Sequence, residues 1–239
     1  MESAYVEAKR LKLEADTEKS KAETAKAKAE ARRVTAEARS YECRAKEAAI
    51  RLEQVQEIRD AELVNDYNRR VYRFTGSVNA VQVGTCMATL EEWARLDEGL
   101  KDLSYEVVFT SPGGDVLHGM ALFDFLRSLS RRGITVVTTD LGFSASMAGI
   151  LLQAGDVRRM GKESYFHIHE ISFGAIGKLA EVEDEVEFTK KITKRVVDIF
   201  VSRSGGKITE RKLRNMFERK EAWFSSDEAL KYGLVDEVL

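Results

Sequence analysis

From residue 70 onward, short apolar runs alternate with longer stretches in which apolar residues return every three or four positions. The first pattern is that of strands and the second that of amphipathic helices. RVYRFTG (70–76) predicts a strand and turn, and AVQVGTCMATLEEWARLD (80–97) an amphipathic helix. YEVVFT (105–110) predicts a buried strand that stops at Ser111-Pro112-Gly113-Gly114, followed by a helix over VLHGMALFDFLRSLS (116–130) and a strand over ITVVTT (134–139). A Gly-Ser turn then leads into a helix, SMAGILLQAG (146–155), and a strand, SYFHIH (164–169). Over 178–204, Leu179, Val182, Val186, Val196, Val197 and Phe200 fall at helical spacing, and AWFSSDEALKYGLVDEVL (222–239) adds a helix and a terminal strand. This alternation predicts an α/β domain with a mainly parallel sheet covered by helices.

The segment before it follows another rule. All 16 glycines and the single proline lie at or after Gly76, so the early chain lacks the usual residues that end a helix. Its Ala, Glu, Lys and Arg, as in AETAKAKAEARRVTAEARS, have high helix propensity and offer many i,i+4 ion pairs. One helix over about 2–59 is predicted, roughly 80 to 90 Å long at 1.5 Å per residue, so much of it must project or pair with other helices. Large apolar residues such as Leu11, Leu13, Ile50, Leu52 and Val55 cluster towards its ends, and the alanine-rich middle sustains no heptad. A solvated single helix and a coiled coil assembled by oligomerisation are both compatible with this pattern. The predicted organisation is a long charged helix over 1–68 and an α/β domain over 69–239.

Charge narrows the function classes. Lys+Arg 38 against Asp+Glu 40 leaves a formal charge of -2, so no overall basic field draws nucleic acid or anionic lipid. No apolar run approaches the roughly 20 residues that span a bilayer, and the first residues do not read as a signal peptide. A cytoplasmic protein is expected, with no nucleic-acid or membrane partner. Cys43 and Cys86 lie in segments of unlike character, which suits free thiols.

Chemistry has few places to reside. The chain has three histidines, so a serine or cysteine mechanism must take its base from His118, His167 or His169. His167 and His169 flank one residue near a strand end and share a face, and residue period alone does not choose between them. With Glu170 or Glu163 they form only a weak metal-ligand set, and no metal is expected. Ser111-Pro112-Gly113-Gly114-Asp115 joins a buried strand to a helix start, where free backbone N–H groups and missing side chains suit an oxyanion hole or a docked extended peptide, besides a plain tight turn. Gly205-Gly206-Lys207 is not a nucleotide loop, because Ile208 stands where a Ser or Thr is required. The turn Gly142-Phe143-Ser144-Ala145-Ser146-Met147-Ala148-Gly149 places a serine at a strand-to-helix corner beside a backbone N–H, and either Ser144 or Ser146 fits.

Taken together, SPGGDVLHGMALFD, GFSASMAGILLQAG, SYFHIHE and SSDEALKYGLVDEVL resemble, in order and over about 170 residues, the proteolytic subunit of the Clp protease, the ClpP family of serine peptidases. The resemblance implies the ClpP/crotonase-like α/β fold, with Ser146 as nucleophile and His169 as base. It implies an oxyanion hole from the N–H groups of Gly114 and Met147, with Gly113 admitting substrate closely. Counting back from Glu228-Ala229 places the third catalytic position on Glu221, where the family has Asp, and Glu170-Ile171 replaces its usual Gln-Pro. The resemblance further implies hydrolysis of peptides or unfolded proteins through an acyl-enzyme, in a homo-oligomeric ring of seven that stacks in pairs through the 178–204 helix. No cofactor is implied, and ATP would enter only through a separate AAA+ unfoldase. The family's short N-terminal pore segment is here replaced by the long helix, an appendage that fits a phage or prophage setting and that would gate the pore or tether the ring. Two other readings remain: a ClpP-like assembly scaffold impaired by Glu221, and a crotonase-like acyl-CoA enzyme, whose related fold also binds an oxyanion by backbone N–H groups.

Overall fold

The computed structural model describes residues 65–239 except Phe173 and Arg219, together with positions 7, 11, 18, 19, 21, 23, 26, 28, 30, 33–35, 37–42, 44–53 and 55. The chain divides into two compact units, Met1–Leu63 and Val64–Leu239. In the first, every described position is helical and exposed, Leu11, Val34, Tyr41, Ile50, Leu52 and Val55 included. Arg33 and Glu37 form an i,i+4 ion pair at 3.5 Å. Leu13 and Cys43 lie outside the described residues.

The second unit is a mixed α/β fold around a seven-stranded sheet. In chain order its elements are β1 (Val71–Thr75), α1 (Ala80–Leu96), β2 (Ser104–Ser111), α2 (Val116–Arg131), β3 (Thr135–Ala145), α3 (Met147–Leu152), β4 (Val157–Met160), β5 (Tyr165–His169), α4 (Leu179–Arg203), α5 (Glu210–Phe217), β6 (Glu221–Ser225), α6 (Ser226–Lys231) and β7 (Glu237–Val238). Strands β1-β2-β3-β4-β7 pair in that order, all parallel. Helix starts are set locally: Asn79 accepts from the Gln82 N–H, Asp115 from the His118 N–H, and Ser225 with Glu228 closes a capping box.

Strand β3 runs farther than the sequence pattern predicts. It continues through Gly142, Phe143 and Ser144, which read as a turn, because each half has a different partner on the same edge. Val137–Asp140 pair with β4, whereas Phe143–Ala145 pair with Tyr165–His167 of β5. On its other edge the register to β2 shifts between Phe109 and Ser111, a bulge of the kind that re-aims a strand. Strand β5 in turn carries β6 antiparallel. The late part of the sheet therefore branches away from the parallel stack, and the ends of β2, β3 and β5 meet at the branch.

Helices α1 and α2 supply much of the packing on the stack. Trp93 of α1 sits edge-on to Tyr105 of β2 with ring centroids 5.7 Å apart, and Phe74 lies 5.6 Å from Phe109. The Tyr105 hydroxyl and the Arg70 guanidinium both donate to the Asp97 carboxylate, which is held below the usual carboxylate range by Arg70 first. Burial and the Asp97 contact push Tyr105 up to about 12. Helix α4 buries Val196, Val197, Ile199 and Phe200 in its second half and leaves Leu179 and Phe188 exposed in its first. Among the described residues no helix is long and apolar enough to cross a membrane.

Candidate active site

At the end of β2 the chain turns through Gly113 (φ +87°) and Gly114 (φ +149°), conformations that disfavour a side chain. Space is equally restrictive: a Cβ on Gly113 would stand 2.6 Å from the Ala145 carbonyl oxygen, 2.7 Å from Ser146 Cβ and 2.8 Å from Met147 N. The glycine turn is thus pressed against the β3–α3 corner. Val78 pins it from the far side, donating to the Gly113 carbonyl and accepting from the Asp115 N–H, each at 2.8 Å. Because both flanking groups bond to Val78, the N–H of Gly114 itself points the other way. That side is a cleft.

Ser146 occupies the corner with φ 54° and ψ −123°, a conformation that costs a non-glycine residue about 1 to 3 kcal/mol and persists only where its surroundings enforce it. Here the enforcement is visible. The Ser146 N–H donates to the His167 carbonyl at 3.0 Å, the preceding residues are held in the β3–β5 ladder, and Met147 opens α3 directly afterwards. The first N–H groups of a helix have no partner inside it, so the Met147 N–H is left beside the serine. Ser144, the other candidate, is fully buried and does not line the cleft.

The cleft has a volume of about 150 Å³, and Gly114, Ser146, Met147 and His169 all line it. Val116, Ile150, Ile168, Ile171, Val196 and Phe200 supply apolar walls. Of the three histidines only His169 lines it. His118 lies on α2, with its ring Nδ1 2.9 Å from the Asp115 carboxylate. His167 is buried behind, its ring stacked on Trp223 at 4.2 Å and on His169 at 5.3 Å. Burial first, and then the neighbouring His169, holds the His167 pKa below the usual imidazole value, with Glu221 pulling the other way. A hydroxyl, an imidazole and two backbone N–H donors therefore share one concavity, as acyl transfer requires.

Glu221 reaches this edge by a different route. It is the antiparallel ladder partner of His169, so the two side chains leave the same face of the sheet. Its side chain is 72% exposed, and its carboxylate lies 3.9 Å from His167 Nε2. The carboxylate is thus brought to the histidine pair, and it comes within 3.9 Å of the buried member of it, His167.

Two features near the site carry no strong sequence signal. Trp223, opposite His167 on β6, gives the buried imidazole its stacking surface. Asp140 lies on β3 between Phe109 of β2 and Met160 of β4 and is fully buried. Burial raises its pKa to about 7; Ser144 pulls part of the way back from outside hydrogen-bond geometry. A lone acid ending the run ITVVTTD is the available hint. Among the described residues no group of three His, Cys, Asp or Glu side chains is placed to hold a metal ion.

A family model described as Clp protease matches residues 67–239. The ATP-dependent Clp protease proteolytic subunit of Deinococcus radiodurans is 32% identical over 146 residues, covering 60% of this chain and 69% of that protein. The subunit of the same name from Bacteroides fragilis is 31% identical over 163 residues, 65% of this chain and 72% of that protein. Its counterpart in Pleurastrum terricola is 29% identical over 172 residues, 71% and 83% of the two chains.

Proposed function

Because the chain belongs to the Clp protease family, we propose that it is a serine-type endopeptidase working through Ser146, His169, Gly114 and Met147. The observation that carries the proposal is the forced conformation of Ser146 at the β3–α3 corner, in one cleft with His169 and Gly114. Neutral His169 takes the hydroxyl proton as Ser146 Oγ attacks the scissile carbonyl. The new C–O bond leaves negative charge on the carbonyl oxygen, to which the Gly114 and Met147 N–H groups donate hydrogen bonds. His169 then gives its proton to the leaving amine, and a water activated by the same imidazole hydrolyses the acyl-enzyme. Gly113 lets the substrate backbone and the Ser146 corner approach closely, and Glu221 orients His169 and stabilises its charged form.

The substrates in this reading are peptides or unfolded proteins. Nothing in the chemistry calls for a cofactor. Leu179 and Phe188 of α4, and Ile176 just before it, are individually exposed apolar residues of the kind that assembly covers. In this reading the chain assembles as a homo-oligomeric ring of seven, stacked in pairs through α4 and fed in the cytoplasm by an AAA+ unfoldase that supplies the ATP step. The helical N-terminal unit would then gate the pore or tether the ring. The family match favours a peptide over an acyl-CoA substrate. A second reading, an assembly scaffold with an impaired triad, draws on one observation: the exposed Glu221 carboxylate lies beside His167.

A fluorogenic peptide assay on the assembled protein decides between them. Peptidase activity in the wild type, lost by a factor on the order of 10³ or more in both Ser146→Ala and His169→Ala, is the expected result. Assembled wild-type protein without peptidase activity would leave the scaffold.

A further inference from the structure

The β5–β6 ladder sets His169 opposite Glu221 and His167 opposite Trp223, which puts all four side chains on one face. Their surroundings differ. The His167 ring lies between Trp223, at 4.2 Å and 21° from parallel, and His169, at 5.3 Å and 13°. It is 7% exposed, and its buried Nε2 has no hydrogen-bond partner. Glu221, by contrast, has a side chain 72% exposed, and a long exposed carboxylate samples many rotamers unless something holds it. The group standing 3.9 Å from it is that unpartnered Nε2.

We infer that His167 is a positioning residue for the reaction proposed above, holding Glu221 in place for His169. The inference rests on that reading of the cleft. A small rotamer change of Glu221 closes the 3.9 Å gap, so that neutral His167 donates its Nε2–H to one carboxylate oxygen and leaves the other for the His169 ring. The titratable groups that act on His167 are His169 on its own strand and Glu221 across the ladder; Trp223 presents only a ring, and β3 presents backbone at Ala145. Burial and the charge of protonated His169 both favour the neutral form of His167. The donor therefore neither competes for the catalytic proton nor adds a second charge to the site. It also answers how a glutamate, longer by one methylene than the family's aspartate, is kept in register from an exposed strand.

The test is the titration of the three imidazoles by NMR in wild type and Glu221→Gln, joined to a double-mutant cycle in peptide hydrolysis. Glu221→Gln is expected to lower the His167 pKa by about half a unit or more, because a favourable carboxylate is removed. His167→Leu is expected to lower kcat/KM about 10-fold in the wild type and less than about 2-fold in Glu221→Gln, and His167→Gln, which keeps an N–H donor, to recover most of the loss. An unmoved His167 pKa, or full multiplication of the two losses in the double variant, overturns the inference. Should His167→Leu fail to fold, the titration and His167→Gln decide alone. Absence of any Ser146-dependent hydrolysis would defeat the peptidase reading instead, and the titration would still report whether His167 and Glu221 pair.

Discussion

The two walls of the cleft are built on different principles. On the nucleophile side the geometry is set by backbone: Gly113 leaves no room for a side chain, Val78 clamps the glycine turn, and the Ser146 N–H is tied to the His167 carbonyl. On the base side it is set by side chains, with His169 half-buried, His167 buried and Glu221 mostly in water. Backbone built into a sheet has few alternatives, whereas an exposed carboxylate has many and is screened by solvent. Substitutions on the first wall should therefore act almost all or nothing, and those on the second should be graded.

The strongest attempt to break this contrast is Gly113→Ala. Its Cβ would enter space held by the Ala145 carbonyl and Met147 N, at a positive φ, displacing at least one of the proposed oxyanion donors. A loss of kcat/KM on the order of 10² to 10³ is expected, and a fall of under tenfold in a peptide assay would mean the corner is not held as described. Next comes Asp140→Asn, which probes the support beneath the corner. The folded-state pKa of Asp140, raised to about 7, lies above its unfolded value. Wild-type stability then falls as pH rises from about 4 to 7 and levels off above that. The Asn variant escapes this loss and should be more stable by roughly 3 to 4 kcal/mol above pH 7, with little difference near pH 4. Denaturation midpoints at fixed protein concentration at about pH 4.5 and about pH 8 would check it, and parallel pH profiles for both proteins would contradict it. The smallest effect belongs to Glu221→Ala, where water replaces much of what an exposed carboxylate supplies. About a 10-fold drop in kcat/KM is expected; a loss equal to that of His169→Ala would show the two walls to be equally rigid.

The same contrast explains what could be read before the fold was known. Strands β1 and β2 and helices α1, α2 and α4 follow from periodicity, because each buries one face against a common core. Strand β4, Val-Arg-Arg-Met, does not: two arginines argue against a strand, and only the fold supplies Asp236 to receive the buried Arg158. Helix α5 and strand β6 were likewise not separated from their neighbours by pattern. The length of β3 was hidden for a related reason, since Gly142 reads as a turn until β5 is there to pair with the residues beyond it. At the site, residue types alone left Ser144 with Ser146 and His167 with His169. Family resemblance preferred one of each pair, and the fold gives a physical distinction: Ser146 carries the forced φ and lines the cleft with His169, whereas Ser144 and His167 are buried. The closeness of Glu221 to His167 was not legible, because it depends on a ladder register that no local pattern encodes.

The central claim, that Ser146 is an activated nucleophile, is tested most directly by intact mass after incubation of the assembled protein with a fluorophosphonate. One adduct per chain in the wild type and none in Ser146→Ala is the predicted result. An assembled wild-type protein that stays unlabelled, or an adduct that survives in Ser146→Ala, would contradict it.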